Sequence, residues 1–124
     1  MIAGIGTDIV EICRIEKALA RNEKFMQKVF SSEEQDYLKS RRMRPEYVAG
    51  RFAAKEAVSK ALGTGFVGFG FKDIEIVRAA SGKPEVLLKE KADSVARGFG
   101  EYKILLSITH GRDCAVAFAI LEVL

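Results

Sequence analysis

Two hydrophobic periods divide this chain, and each predicts its own kind of element. Residues 2–7 are short, apolar and glycine-spaced, which predicts a strand ending near Asp8. Over 9–21, Ile12, Ile15 and Leu19 recur at helical spacing with charged residues between them, so a helix is expected there. Ser31 is followed three residues later by Glu34, a capping box that opens a polar helix reaching about Arg41. Pro45 suits the first turn of a further helix, which runs to Leu62 and stops at Gly63. The second half turns to the strand period. Lys72 to Val77 alternates polar with apolar, Ser81-Gly82-Lys83-Pro84 is a turn, and Glu85 to Leu88 completes a hairpin. Residues 89–97 are a helix ending near Gly98. Two final strands, 104–109 and 114–121, are joined at Gly111-Arg112-Asp113. The last strand is apolar on both faces, so each face needs a cover; a helix layer suits one and a partner subunit the other. The pattern predicts an α+β fold with a largely antiparallel sheet.

No repeat, low-complexity tract or linker interrupts residues 1–124, and the length of 124 residues fits a single domain. An apolar content of 48% with a net charge of only +3 excludes intrinsic disorder. A chain this short buries roughly two-thirds of its unfolded surface, which leaves little core to enclose a deep site and favours a site at a subunit boundary. The 20 basic residues barely exceed the 17 acidic ones, so nucleic-acid binding is not expected, while one acidic protein partner is compatible. Cys13 and Cys114 stand alone and read as reduced core thiols. No secretory leader or membrane-spanning run is visible, so a cytoplasmic protein without a membrane partner is expected.

Four sets of residues could carry chemistry. Phe52, Glu56 and Lys60 are four apart and share a helix face, with the acid ahead of the base. They form either a surface ion pair or a carboxylate and an ammonium offered together at a site. Gly63-Thr64-Gly65 beyond them is either a plain cap and turn or a place for close ligand approach; it lacks the spacing of a Walker loop. Asp8 at the strand-to-helix junction is either an N-cap or a ligand for a hard cation. His110, the only histidine, ends a strand after Ser107 and Thr109, and is either a structural turn residue or part of a phosphate site. The first helix carries Arg14 and Arg21 two turns apart, with Lys24, Phe25 and Lys28 following. This is either a solvated face or a patch for an acidic partner. On these residues alone, a non-catalytic module that binds acidic partners through its first helix competes with an enzyme.

Taken in order, the motifs resemble a known family. Gly4-Ile5-Gly6-Thr7-Asp8-Ile9-Val10, Gly50-Arg51-Phe52-Ala53-Ala54-Lys55-Glu56-Ala57, Ser59-Lys60-Ala61, Gly63-Thr64-Gly65, Asp73-Ile74-Glu75-Ile76, Gly82-Lys83-Pro84 and Ser107-Ile108-Thr109-His110 follow in the sequence of holo-acyl-carrier-protein synthases, the small bacterial 4′-phosphopantetheinyl transferases. The resemblance runs nearly end to end. It departs at Thr7, where several relatives have Leu, and in the segments near 40–45 and 98–103, which vary in length.

The resemblance implies a trimeric phosphopantetheinyl transferase. Such an enzyme moves phosphopantetheine from coenzyme A to a serine of apo-acyl carrier protein, releases adenosine 3′,5′-bisphosphate and supports fatty acid synthesis. Asp8 and Glu56 match the family's Mg²⁺ ligands, a site whose oxygen donors would also suit Mn²⁺. Asp8, Glu56 and Lys60 are the implied catalytic residues. Lys60, Gly63, Thr64, Gly82, Lys83, Pro84, Ser107, Thr109 and His110 match segments that line the coenzyme site between subunits. Arg14, Arg21 and Phe25 match the docking face for the carrier. Attack by a serine hydroxyl on the β-phosphorus needs charge neutralisation on the pyrophosphate and in-line placement. Either Glu56 or a metal-bound water would accept the serine proton.

Overall fold

The computed structural model describes residues 1–124. Its elements are β1 (Ile2–Glu11), α1 (Ile12–Arg21), α2 (Phe25–Val29), α3 (Ser32–Ser40), α4 (Pro45–Ala61), β2 (Ile74–Arg78), β3 (Pro84–Leu88), α5 (Glu90–Arg97), β4 (Tyr102–His110) and β5 (Cys114–Val123). One sheet has the order β1-β5-β4 and the other is the β2-β3 hairpin, and every pairing is antiparallel. The fold is α+β, as the pattern predicts.

The buried face of the three-stranded sheet rests on α4. Ala115, Ala117, Ala119 and Leu121 of β5 are wholly buried against it. Helix α4 is itself buried on most sides, through Val48, Ala49, Ala53, Ala54, Ala57 and Val58. Small side chains let it lie close to the sheet. One cluster of buried side chains joins α4 to the sheet, the hairpin and α5, and a second joins its first half to α1, α2 and α3. The opposite face of the sheet has no helix. Ile5, Ile9 and Phe118 stand exposed there, at 61%, 65% and 40%. One of the two apolar faces of the last strand is thus covered by helix, and the other is open.

The first strand is longer than its glycine-rich start suggests. Ile9 and Val10 pair with Val116 and Ala115, and the ladder ends only at Glu11 opposite Cys114. Cross-strand pairing with β5 overrides the helical spacing read from 9 onward, so α1 starts at Ile12. The first helix also ends before Phe25, which opens the separate α2. Strand β2 begins at Ile74, because Phe71–Asp73 forms a single 3₁₀ turn. The capping box is complete: Ser31 Oγ accepts from the Glu34 amide, and Glu34 accepts from the Ser31 amide. Gly63 follows α4 at φ +82°, the left-handed exit that glycine adopts without strain. The cysteines are not core residues. Cys13 lies on the exposed side of α1 and Cys114 on the open face of β5.

Candidate active site

Two glycines bring the acids together. A Cβ atom at Gly4 would stand 1.9 Å from the Ala61 carbonyl oxygen, and one at Gly6 would stand 1.9 Å from that of Ala57. Only glycine allows β1 to touch the α4 backbone at both points. Gly4, Gly6 and Asp8 alternate onto one strand face, so Asp8 follows them onto α4 one pleat later. There it meets the side of the helix that carries Glu56 and Lys60. Asp8 is therefore a mid-strand residue paired with Ala117, and the N-cap alternative falls away; α1 has no side-chain cap.

The expected surface pair is replaced by a different one. Lys60 Nζ donates to Asp8 Oδ1 at 3.2 Å and to the Thr7 carbonyl at 3.0 Å. It forms no ion pair with Glu56, because its side chain leans across to β1. Glu56 is half-buried. Burial raises its carboxyl above the usual range, the Asp8 charge adds to that rise, and Lys60 opposes it. Two carboxylates and an ammonium thus lie close together, with the ammonium paired to Asp8.

Asp8 and Glu56 close one end of a cleft of about 390 Å³. Arg14, Ile15 and Ala18 of α1, Phe25 of α2 and Phe52 of α4 form its walls. Arg14, Ala18 and Arg21 fall on one face of α1 by helical spacing, and Arg21 is exposed at its end. Phe25 packs on Phe52 with ring centroids 6.0 Å apart. The lining thus combines two carboxylates, one arginine and six apolar side chains.

The remaining residues implied for the coenzyme divide into two groups. Gly63 and Thr64 leave α4 one turn beyond Lys60 and are exposed. Gly82 (φ +90°), Lys83 and Pro84 form the β2-β3 turn, where the Gly82 amide donates to the Ala79 carbonyl. Ser107 and Thr109 project from the open face of β4, and His110 ends that strand with its ring edge-on to Tyr47 at 5.7 Å. Strand β5 separates β4 from β1, so this group lies about 10 Å or more across the sheet from Asp8. Within one chain the first group follows α4, and the second lies on the β2-β3 turn and on β4.

A cationic cluster beside His110 was not singled out from the sequence. The α3–α4 turn passes through left-handed φ at Arg42 (59°) and Met43 (52°). That tight turn presents Arg41, Arg42 and Arg44 with Ser40 and Tyr47 around a pocket of about 180 Å³. The Arg51 guanidinium lies 4.4 Å from the centre of the Tyr37 ring, and Arg41 reaches both Tyr37 and Tyr47. The run Lys39-Ser40-Arg41-Arg42-Met43-Arg44 between two tyrosines was the available signal. Charge runs of this kind usually mark a solvated turn, and nothing local ties this one to His110.

The sequence profile of the 4′-phosphopantetheinyl transferase superfamily matches residues 4–119. A holo-[acyl-carrier-protein] synthase of Clostridium kluyveri is 60% identical over 99% of this chain and 92% of its own length. The chain belongs to the holo-acyl-carrier-protein synthase family. A second relative so named, from Clostridium acetobutylicum, is 54% identical over 99% of both chains. Among solved structures, the synthase of Bacillus anthracis in complex with CoA (3′,5′-ADP) aligns with a TM-score of 0.82 at 41% identity, over 99% of this chain and 98% of that one. The Helicobacter pylori synthase in complex with coenzyme A gives 0.82 at 34% identity, over 95% and 99%. Every motif of the family quoted above, from Gly4 to His110, falls within the matched span.

Proposed function

We propose that this chain transfers 4′-phosphopantetheine from coenzyme A to a serine of apo-acyl carrier protein, with adenosine 3′,5′-bisphosphate as the second product. The observation that carries the reading is the convergence of Asp8 and Glu56 in the lining of one largely apolar cleft, with Lys60 paired to Asp8 beside it, on the motifs of the family. The carrier's serine oxygen forms a bond to the β-phosphorus while the bond from that phosphorus to the bridging oxygen breaks. The electron pair leaves with the adenosine bisphosphate. Asp8 and Glu56 are the acidic side chains of the cleft, and Glu56 receives the serine proton. Lys60, half-exposed beside Asp8, neutralises charge on the leaving phosphate.

The carboxylate pair fits Mg²⁺. That ion takes one or two protein carboxylates and fills its remaining positions with water and phosphate oxygens. No group of three or more His, Cys, Asp and Glu side chains converges, which matches this demand better than that of a fully protein-coordinated metal. Asp8 and Glu56 offer oxygen donors only, the donor type this hard cation takes. Asp8 and Glu56 would hold Mg²⁺ there, and the ion would supply charge neutralisation for the pyrophosphate.

The reading extends to the assembly. In a trimer, the open face of the β1-β5-β4 sheet is covered by neighbouring copies. The β4 edge of one subunit, with Ser107, Thr109, His110 and the Gly82-Lys83-Pro84 turn, then completes the coenzyme cleft that starts at Lys60, Gly63 and Thr64 of the next. The separation of these two groups within one chain supports that division. The arginine cluster beside His110 suits the phosphates of the nucleotide. Arg14, Arg21 and Phe25 receive the acidic carrier at the cleft rim. The enzyme acts in the cytoplasm; no helix is long and apolar enough to cross a membrane.

Incubation with coenzyme A, Mg²⁺ and apo-carrier tests the reading through chromatographic detection of adenosine 3′,5′-bisphosphate. Its release is expected only when carrier and metal are both present. Absence of release across a panel of apo-carriers would overturn the assignment.

A further inference from the structure

Lys55 is the neighbour of Glu56 in sequence and belongs to the same motif, yet it points away from the cleft. It is fully buried, the only lysine of the chain in that state. Its ammonium has three donors and three acceptors around it: Glu34 Oε1 at 2.8 Å, the Phe71 carbonyl at 2.9 Å and the Ile74 carbonyl at 2.7 Å. Glu34 is equally engaged. It closes the α3 capping box on the Ser31 amide and takes the Ile76 amide on its other oxygen at 2.8 Å.

One ion pair therefore ties α3, α4, the 3₁₀ turn and the start of β2 at a single point. A buried pair of this kind contributes little net stability, since desolvation offsets the attraction. Its directional acceptors do fix a geometry. The Phe71 backbone is held against α4, and the Phe71 ring then packs edge-on to Phe52 at 5.3 Å and against Phe66 at 4.2 Å. Phe52 is a wall of the cleft one turn before Glu56. Phe66 belongs to the loop that begins with Gly63 and Thr64.

We propose that Lys55 is a positioning residue: its ammonium, held by Glu34, pins the 71–74 backbone to α4 and so sets the shape of the 63–70 loop on the coenzyme side of the site. Helix α4 holds Glu56 without this pin, so the loss falls on coenzyme binding and spares the chemical step. The proposal rests on the transferase reading. Lys55→Met keeps the length of the side chain and removes the charge. Its steady-state kinetics, measured well below its melting temperature, are expected to show a KM for coenzyme A raised about tenfold with kcat within about twofold of the parent. In ¹⁵N–¹H spectra, amides of residues 63–76 should move while those of β1, β4 and β5 stay. An unchanged KM with kcat reduced only in proportion to the folded fraction would make Lys55 merely structural and overturn the proposal, as would unchanged KM and kcat together. If Lys55→Met fails to fold, the double variant Glu34→Gln/Lys55→Met carries the same two outcomes, because it leaves no unpaired buried charge. If the parent protein transfers nothing, the transferase reading fails by itself. The spectra then still decide the pin, and amides at 63–76 that do not move overturn it.

Discussion

At Gly6 a single added methyl group would meet the Ala57 carbonyl oxygen 1.9 Å away, with backbone on both sides and no flexible atom to yield. Gly6→Ala must push α4 off β1. It is predicted to lower stability by about 1–3 kcal/mol, read by chemical denaturation. Transfer activity should fall further than the folded fraction does, because Asp8 and Glu56 part. Lys60 provides the converse case. Its ion pair with Asp8 is half-exposed, so Lys60→Ala should change stability by less than about 1 kcal/mol. The same substitution should cut transfer by about 100-fold, since a charge aimed at the leaving phosphate is gone. The acids, the lysine and the histidine were all legible as candidates from residue type and motif order. Which of them pair was not. Spacing along α4 suggests Glu56 with Lys60, whereas the close approach of a strand distant in sequence turns Lys60 to Asp8. The glycines that permit this approach are visible in the sequence, but their partner helix is not.

Helix ends carry strong local signals, and most of them were legible. The Ser31 capping box, Pro45 at the start of α4 and Gly63 beyond its end all appear where residue chemistry put them. The first strand runs three residues beyond the end its pattern predicts because pairing with β5, a long-range contact, decides it. A further long-range link joins α5 to β4, where the Tyr102 hydroxyl donates to Asp93 and Arg97 Nε donates to the same carboxylate at 2.9 Å. Partial burial, then the Asp93 hydrogen bond, push the Tyr102 phenol up to about 12. The same hydrogen bond, then Arg97, hold the Asp93 carboxyl below its usual range. A phenol raised in the folded state stabilises fully below its ordinary value, and that contribution is lost as pH rises through about 12. A carboxyl lowered in the folded state stabilises above its ordinary value, and that contribution fades as pH falls through the lowered one. Tyr102→Phe is therefore predicted to weaken the fold at neutral pH and to flatten the decline at both extremes. Denaturation midpoints at pH 3, 7 and 11 check this, with a parallel curve for the variant counting against it.

For the whole molecule, the open sheet face is the feature that one chain leaves unfinished. Ile5, Ile9 and Phe118 form an apolar surface where the last strand's second face lacks a helix. On the trimer proposed above, Phe118→Asp is predicted to give a stable monomer by sedimentation and to abolish transfer, because the β4 edge would no longer meet a neighbour's cleft. A monomeric variant with full activity would place the whole site within one chain. The small excess of positive charge resolves at this scale into two patches, Arg14 with Arg21 at the cleft rim and the arginines beside His110. The central claim is that Asp8 and Glu56 in the lining of the cleft serve phosphopantetheine transfer. Intact-mass measurement of the carrier tests it most directly, after incubation with coenzyme A, Mg²⁺ and the parent chain, Asp8→Asn or Glu56→Gln. The account predicts one phosphopantetheine added to the carrier's serine by the parent and at least about a 100-fold slower gain with either folded variant. Variants that load the carrier at the parent rate, or a parent that never loads it, would contradict the account.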